Sequence, residues 1–232
     1  MVHLELISAG AAESMVRRLE PDIAGLGVRL HPTFGPVGVI RRTFTESSGC
    51  PLLITSEQGM GDLRALGYLD SAEVADLGTV QTAVAVRADD PVPDLSTGES
   101  LETALRSASV VYLPDPERST AGAHVRRVLG ELGLLGGGVF REEIHPNGAT
   151  AMRALAGSQD TVAVGCTQAT EILQTEGVVL AGPLPPPYDL STLYQCALVR
   201  RRDPASEREA GRVFDLLTGS ATRELRRSLG FR

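Results

Sequence analysis

The sequence lacks lysine, because all 22 basic residues among its 232 residues are arginine. This absence excludes catalysis through a lysine Schiff base, including that of the usual pyridoxal phosphate enzymes. It also restricts how an anion is bound, since arginine side chains, hydroxyl groups and backbone N–H groups are the donors that remain. Tryptophan is absent too, and aromatic residues make up only 4% of the chain, so the core is expected to be aliphatic.

Cysteine is scarce, and Cys50, Cys166 and Cys196 are an odd number without close spacing. This pattern predicts neither a disulfide framework nor a metal site, and it is typical of small buried residues. The glycine run at 136–138 lacks the Gly-Lys-Ser/Thr of a phosphate loop, and the sequence has no nucleophile elbow. We therefore expect no metal and no cofactor.

The charge pattern and the absence of long apolar runs narrow the possible partners. A net charge of −7 argues against nucleic acid, because phosphate neutralisation needs a basic face. No apolar run is long enough for membrane insertion. A strand pattern follows Met1 directly, without the basic and apolar regions of a signal peptide. We therefore expect a cytoplasmic location, or a periplasmic or extracellular one if a leader before Met1 has been removed.

Strand-like and helix-like segments alternate along the chain, which predicts an α/β fold with mostly parallel sheets flanked by helices. Crossings near residues 85 and 190 predict two lobes, a discontinuous one of residues 1–84 and 193–232 and a continuous one of residues 85–192. A ligand is expected in the cleft between them, at the carboxyl ends of the strands. The predicted strands are 2–8, 28–32, 51–55, 80–87, 110–113, 139–144, 161–165 and 193–199; the predicted helices are 11–24, with Pro21 as a kink or break, 36–45, 60–66, 101–106, 120–132, 148–156, 205–218 and 221–229.

Several local strings carry a family resemblance: the strand and alanine-rich turn at 4–12, the turn at 33–38, the turn before a helix at 115–122, the turn at 145–150 and the closing Gly-Phe pair at 230–231. Together they resemble the molybdate-binding branch of the periplasmic-binding-protein fold, the solute-binding proteins of ABC importers. The resemblance implies a small anionic ligand, held where helices open near residues 10, 36, 120 and 148.

The resemblance also shows which ligand groups are replaced. The family's serine ligands fall on Ala11 and Val37, and its tyrosine ligand falls on Thr167. Each unmade hydrogen bond to a buried charge costs about 1.5–3 kcal/mol, which argues against molybdate. Backbone N–H groups at helix openings bind anions whatever the side chain. The expected ligand-binding residues are Gly10, Ala11, Ala12, Phe34, Gly35, Pro36, Val37, Arg41, Arg118, Ser119, Thr120, Ala121, Asn147, Gly148, Ala149 and Thr167.

Arginines near these turns favour a di- or tricarboxylate, because guanidinium groups bind carboxylates in two-pronged pairs. The resemblance extends to aconitate isomerases near the same branch, which suggests a cytosolic, cofactor-independent isomerase of an unsaturated polycarboxylate. Its candidate proton-transfer groups are His145, His124 and Glu13. The alternative is pure binding, either as the substrate-binding protein of a molybdate- or sulfate-type ABC importer or as a cytoplasmic anion sensor.

Overall fold

A computed structural model describes residues 1–47, 49–199 and 204–232. The strands are β1 Val2–Ala9, β2 Val28–Gly35, β3 Leu52–Ser56, β4 Glu73–Arg87, β5 Val110–Pro114, β6 Arg141–His145, β7 Ala163–Gln168, β8 Val178–Pro183 and β9 Ser191–Leu198. The α-helices are α1 Glu13–Gly25, α2 Val37–Glu46, α3 Glu57–Ala65, α4 Gly98–Ser107, α5 Thr120–Glu131, α6 Gly148–Ala156, α7 Ala169–Leu173, α8 Pro204–Thr218 and α9 Arg223–Ser228, with short 3-10 helices at Gly10–Ala12 and Ser220–Thr222. The prediction of an α/β fold is confirmed.

The chain divides into two compact units, unit 1 of Met1–Thr79 with Thr192–Arg232 and unit 2 of Val80–Ser191. These boundaries differ from the sequence-based ones at 84/85 and 192/193. The first boundary falls within β4, which begins at Glu73, seven residues before the predicted strand. Whether these units act as two ligand-binding lobes stays a prediction.

In unit 1 the strands follow the order β2-β1-β3-β9, with β1 parallel to both β2 and β3 and with β9 antiparallel to β3. All five residues of β3 are buried, as expected for a strand covered on both faces. The buried residues of α1 are Met15, Val16, Leu19 and Ile23, which form one apolar stripe. The helix continues through Pro21 to Gly25, so Pro21 does not end it.

The C-terminus is bound tightly within unit 1. The buried guanidinium of Arg226 donates hydrogen bonds to the carbonyls of Leu77, Leu217 and Gly219 at 2.9–3.0 Å. Arg232 exchanges backbone hydrogen bonds with Thr79. Gly78 has a φ of +134°, and a Cβ atom there would meet the carbonyl of Arg232, so this close approach requires glycine.

In unit 2, β5 is parallel to both β6 and β7, while the second half of β4 pairs antiparallel with β7 and β8. A cluster of buried aliphatic residues from the sheet, α4 and α5 forms the core. The sequence prediction missed α7 and β8, because a five-residue helix has too few turns for periodicity and β8 runs into the proline-rich segment. No described helix is long and apolar enough to cross a membrane.

Candidate functional site

Unit 1 brings two of the predicted anion turns together. Ala9 at the end of β1 is in register with Gly35 at the end of β2, so the segments that follow leave the same edge of the sheet. The first leads through the 3-10 helix into α1, and the second passes Pro36 and opens α2 at Val37. Among the residues that the structure describes, no side chain caps either helix opening with a hydrogen bond.

Uncapped openings of this kind favour anions. The first N–H groups of a helix have no partner within the helix, and the helix dipole adds partial positive charge at the same end. In α2 the N–H groups of Val39 and Ile40 donate to the Pro36 carbonyl, which leaves those of Val37 and Gly38 as the first donors of the helix. The predicted ligand residues Ala11 and Ala12 are buried at the other opening.

Arg17 also belongs to this region, although the sequence analysis did not select it. Its guanidinium carbon lies 5.0 Å from the centroid of the Phe34 ring, in a cation–π contact. The same guanidinium lies 3.4 Å from Glu13 Oε1 and 3.0 Å from Glu20 Oε1. The predicted residues Glu13 and Phe34 are therefore linked through Arg17. The four-residue spacing of Glu13 and Arg17 on one helix is the sequence signal that indicates their ion pair.

Arg41, the arginine that was predicted to bind the ligand in unit 1, has a different partner. Its Nη1 lies 2.5 Å from Asp62 Oδ2 on α3, and both side chains are about half exposed. This pairing could not be derived from spacing, because the two residues are far apart in sequence. An exposed ion pair of this kind contributes little to stability, so the role of Arg41 in binding stays a prediction.

Unit 2 places the other predicted turns at the carboxyl ends of β5, β6 and β7, where α5, α6 and α7 begin. Here side chains already cap α5 and α6. The Ser119 hydroxyl accepts a hydrogen bond from Gly122 N at 3.3 Å at the start of α5. The Asn147 side-chain oxygen accepts one from Thr150 N at 2.8 Å at the start of α6. The predicted residues Ser119 and Asn147 therefore stabilise their own helices.

Glu171 is a buried residue that the sequence analysis missed. Its Oε2 accepts a hydrogen bond from the Thr167 hydroxyl at 2.5 Å. Burial raises the pKa of Glu171, while the Thr167 hydroxyl and the nearby backbone N–H groups of Gln168, Ala149 and Gly148 act against that shift by favouring the charged form. Thr167, Gly148 and Ala149 were predicted to bind ligand, and here they surround an internal carboxylate.

The candidate histidines lie in different surroundings. His124 Nε2 is 2.7 Å from the Tyr188 carbonyl, and its Nδ1 is 3.0 Å from a guanidinium nitrogen of Arg127. Burial lowers the pKa of His124, so the neutral ring donates from Nε2 and accepts at Nδ1. Because both ring nitrogens have partners, this geometry does not favour proton transfer by His124.

His145 stacks against Tyr112 with ring centroids 5.9 Å apart, and its Nε2 is buried without a hydrogen-bond partner among the described residues. Arg118 has a side chain that is 61% exposed, with its Nε 3.4 Å from Asp115 Oδ2. Thr120 and Ala121 form the first turn of α5. The catalytic and ligand-binding roles of these residues stay predictions.

A cavity in unit 2, away from the predicted turns, does not fit an anion. A cavity of about 740 Å³ in unit 2 lies beside α4 and the start of β7. Its lining includes Asp90, Asp94 and Glu99, and no basic side chain lines it among the residues that the structure describes. The same residues contain no group of three or more His, Cys, Asp and Glu side chains that could hold a metal ion.

Comparisons with known proteins identify the fold. The sequence profile of the family described as bacterial extracellular solute-binding protein matches residues 6–232. Among solved structures, the periplasmic molybdate-binding protein of Azotobacter vinelandii superposes with a TM-score of 0.75 at 17% identity, covering 99% of this chain and 98% of that chain. The sulfate-binding protein SubI of Mycobacterium tuberculosis H37Rv gives a TM-score of 0.73 at 18% identity, covering 100% and 87%.

A third similar structure is the substrate-binding domain of a putative molybdenum ABC transporter from Clostridium difficile, with a TM-score of 0.67, 14% identity and coverage of 100% and 99%. Among curated protein sequences, none matches this chain significantly. The predicted resemblance to the molybdate-binding branch of the periplasmic-binding-protein fold is thus confirmed.

These findings correct the expected location. The matching family is described as extracellular, and the Azotobacter vinelandii protein is periplasmic. The prediction of a cytoplasmic location is therefore wrong. It rested on the residues that follow Met1, which form β1. With its fold and nearly its whole length matched, the chain belongs to the family of bacterial extracellular solute-binding proteins.

Proposed function

We propose that this protein captures a small anion as the solute-binding component of an ABC importer. The observation that carries the proposal is the pair of uncapped helix openings in unit 1, after Ala9 and after Pro36, which leave the same edge of the sheet. Their N–H groups provide donors for an oxyanion or a carboxylate without any serine hydroxyl.

The relatives support an anion rather than a neutral solute. The Azotobacter vinelandii protein is a molybdate-binding protein, and the Mycobacterium tuberculosis protein is a sulfate-binding protein. The Clostridium difficile domain is part of a putative ABC transporter, which supports the importer partner. Since all three are less than 20% identical to this chain, the choice of anion rests on the residues of this chain.

Arg17 strengthens the proposal for unit 1. Its guanidinium lies over Phe34, a residue of the second turn, and adds positive charge beside the helix openings. The two carboxylates that it contacts, Glu13 and Glu20, offset this charge, but all three side chains are partly exposed, so solvent weakens both ion pairs. We expect Arg17 to attract the anion, and the backbone N–H groups to hold it.

The isomerase hypothesis has less support. Both ring nitrogens of His124 are bonded within unit 2, and Glu13 contacts Arg17. The family match and the relatives favour the alternative of solute binding.

The first experiment is a thermal-shift panel with molybdate, tungstate, sulfate, phosphate, nitrate, acetate, citrate and both aconitates. A ligand that binds the native state raises the melting temperature by mass action. A rise with one of these anions, followed by calorimetric titration, supports the proposal. The absence of a shift with every anion would contradict it, and conversion of an aconitate would restore the isomerase hypothesis.

A pair of variants then tests the donor that we assign. Val37→Pro removes the first N–H of α2, at a helix position that accepts proline. Pro36 already has φ −60° and ψ 149°, the extended conformation that a following proline requires. We expect Val37→Pro to weaken binding by about tenfold, the loss of one hydrogen bond to a charged group. Val37→Ala keeps the N–H and is the matched control, and equal affinities for the two variants would remove Val37 from the site.

A further inference from the structure

The N-terminus of α6 in unit 2 is covered by a carboxyl group that belongs to the chain. The carboxyl group of Glu171, on α7, lies directly against Gly148, the first residue of α6. The Thr167 hydroxyl donates a hydrogen bond to Glu171 Oε2 at 2.5 Å. Glu171 is only 6% exposed, so this is a built and enclosed arrangement.

The approach of the carboxylate depends on the absence of a side chain at Gly148. A Cβ atom at this position would overlap both the Glu171 carboxylate and the Thr167 hydroxyl. The carboxylate therefore lies directly against the opening of α6, where a ligand oxygen would otherwise approach the N–H groups.

The surroundings of Glu171 act on its carboxyl group in opposite directions. Burial raises the pKa of Glu171, while the Thr167 hydroxyl and the nearby backbone N–H groups of Gln168, Ala149 and Gly148 act against that shift. Glu171 is also the third residue of α7 and reaches back to the N–H of Gln168, the residue that precedes the helix, as in one half of a capping box.

We propose that Glu171 is a specificity-determining residue that closes the α6 turn to an external anion. Its carboxylate takes the place of a ligand oxygen at this opening and disfavours dianions such as sulfate and molybdate there. The solute accepted beside α6 is then a monoanion, or the uncharged end of a longer anion. The effect of Glu171 on the choice of solute rests on the proposed function. The claim that Glu171 occupies the α6 opening does not, and it is tested separately.

The experiment is chemical rescue of the variant Glu171→Ala. Removal of the carboxyl group opens the space in front of Gly148 and leaves the Thr167 hydroxyl without its acceptor. About 50 mM acetate or sulfate is expected to raise its melting temperature by about 3 °C more than that of the original protein, because the anion binds only the folded state. Sodium chloride at equal ionic strength corrects for screening.

The matched control is Glu131→Ala, which removes a carboxylate from an exposed ion pair with Arg127 on α5. It should respond to acetate and sulfate as the original protein does. A second variant, Glu171→Gln, keeps an acceptor oxygen and removes the charge. We expect the sulfate affinity of Glu171→Gln to be at least about tenfold higher than that of the original protein. This second variant keeps the inference testable if Glu171→Ala does not fold.

The outcomes separate this inference from the proposed function. If neither Glu171 variant gains anion-dependent stability beyond Glu131→Ala, the inference is overturned. If Glu171→Ala is rescued while the original protein binds no anion of the panel, the inference stands and the proposed function fails. If the original protein binds sulfate as tightly as Glu171→Gln does, Glu171 does not determine specificity.

Discussion

The predicted anion turns of the two units differ in how their helix donors are used. In unit 1 the openings after Ala9 and Pro36 have no side-chain cap in the described structure. In unit 2 the openings of α5 and α6 are capped by Ser119 and Asn147, and the Glu171 carboxyl group also lies against the first residue of α6. Both units contain the pattern of a parallel strand followed by a helix, so the comparison teaches that this topology alone does not make an anion site. The acceptors that the chain itself supplies decide which openings remain available.

The largest expected effect comes from Gly148→Ala, which tests whether the α6 opening is already filled. The added Cβ atom would overlap the Glu171 carboxylate and the Thr167 hydroxyl, so the carboxylate must leave its donors. We expect the free energy of unfolding to fall by about 3 kcal/mol, since a buried polar group loses its hydrogen bond and the surrounding packing is disrupted. Denaturant unfolding followed by circular dichroism measures this loss.

The control for that change is Gly61→Ala on α3 in unit 1. No atom lies within 4 Å of an added Cβ there, and alanine favours the helix by about 1 kcal/mol over glycine. The same substitution should therefore stabilise the protein in unit 1 and destabilise it in unit 2. A destabilisation below about 0.5 kcal/mol for Gly148→Ala would mean that Glu171 adapts freely, and the contrast between the units would fail.

The order of strands and helices, and therefore the positions of the helix openings, was predictable from the sequence. Apolar strands that end in small or turn residues, followed by amphipathic helices, indicated the openings near residues 10, 36, 120 and 148, and each proves to begin a helix or a 3-10 helix. These signals are local, because they depend on periodicity and on residues such as Pro36 that favour a helix start.

The occupation of the openings was not predictable in the same way. Glu171 acts at α6 only because β7 and α7 bring it there, and α7 is too short to leave a periodic signal. Arg41 was expected to bind ligand, yet its partner is Asp62, which the fold of α2 and α3 places beside it. Arg17 was overlooked because its contact with Phe34 joins α1 to β2. Contacts between elements depend on tertiary geometry, which residue spacing does not contain.

A smaller effect is expected from removing a cap in unit 2. Asn147→Ala deletes the oxygen that accepts a hydrogen bond from Thr150 N, which should cost about 1 kcal/mol. Asn147→Ser keeps a good capping residue and should stay within about 0.5 kcal/mol of the original protein. Thermal and denaturant unfolding provide the measurement. If both variants are equally stable, Glu171 alone satisfies the α6 opening and the cap is dispensable.

The smallest effect tests the charge beside the openings of unit 1. Arg17→Ala removes the guanidinium that lies over Phe34. The Arg17 side chain is 51% exposed, so solvent and salt screen its attraction for an anion. We expect the dissociation constant of the anion identified in the panel to rise about threefold at low salt, and less at high salt. Arg18→Ala makes the same change in charge one residue along α1 and serves as the control. Equal effects of the two variants would mean that net charge alone matters, whereas a larger effect at Arg17 would place the anion near Phe34, at the uncapped openings.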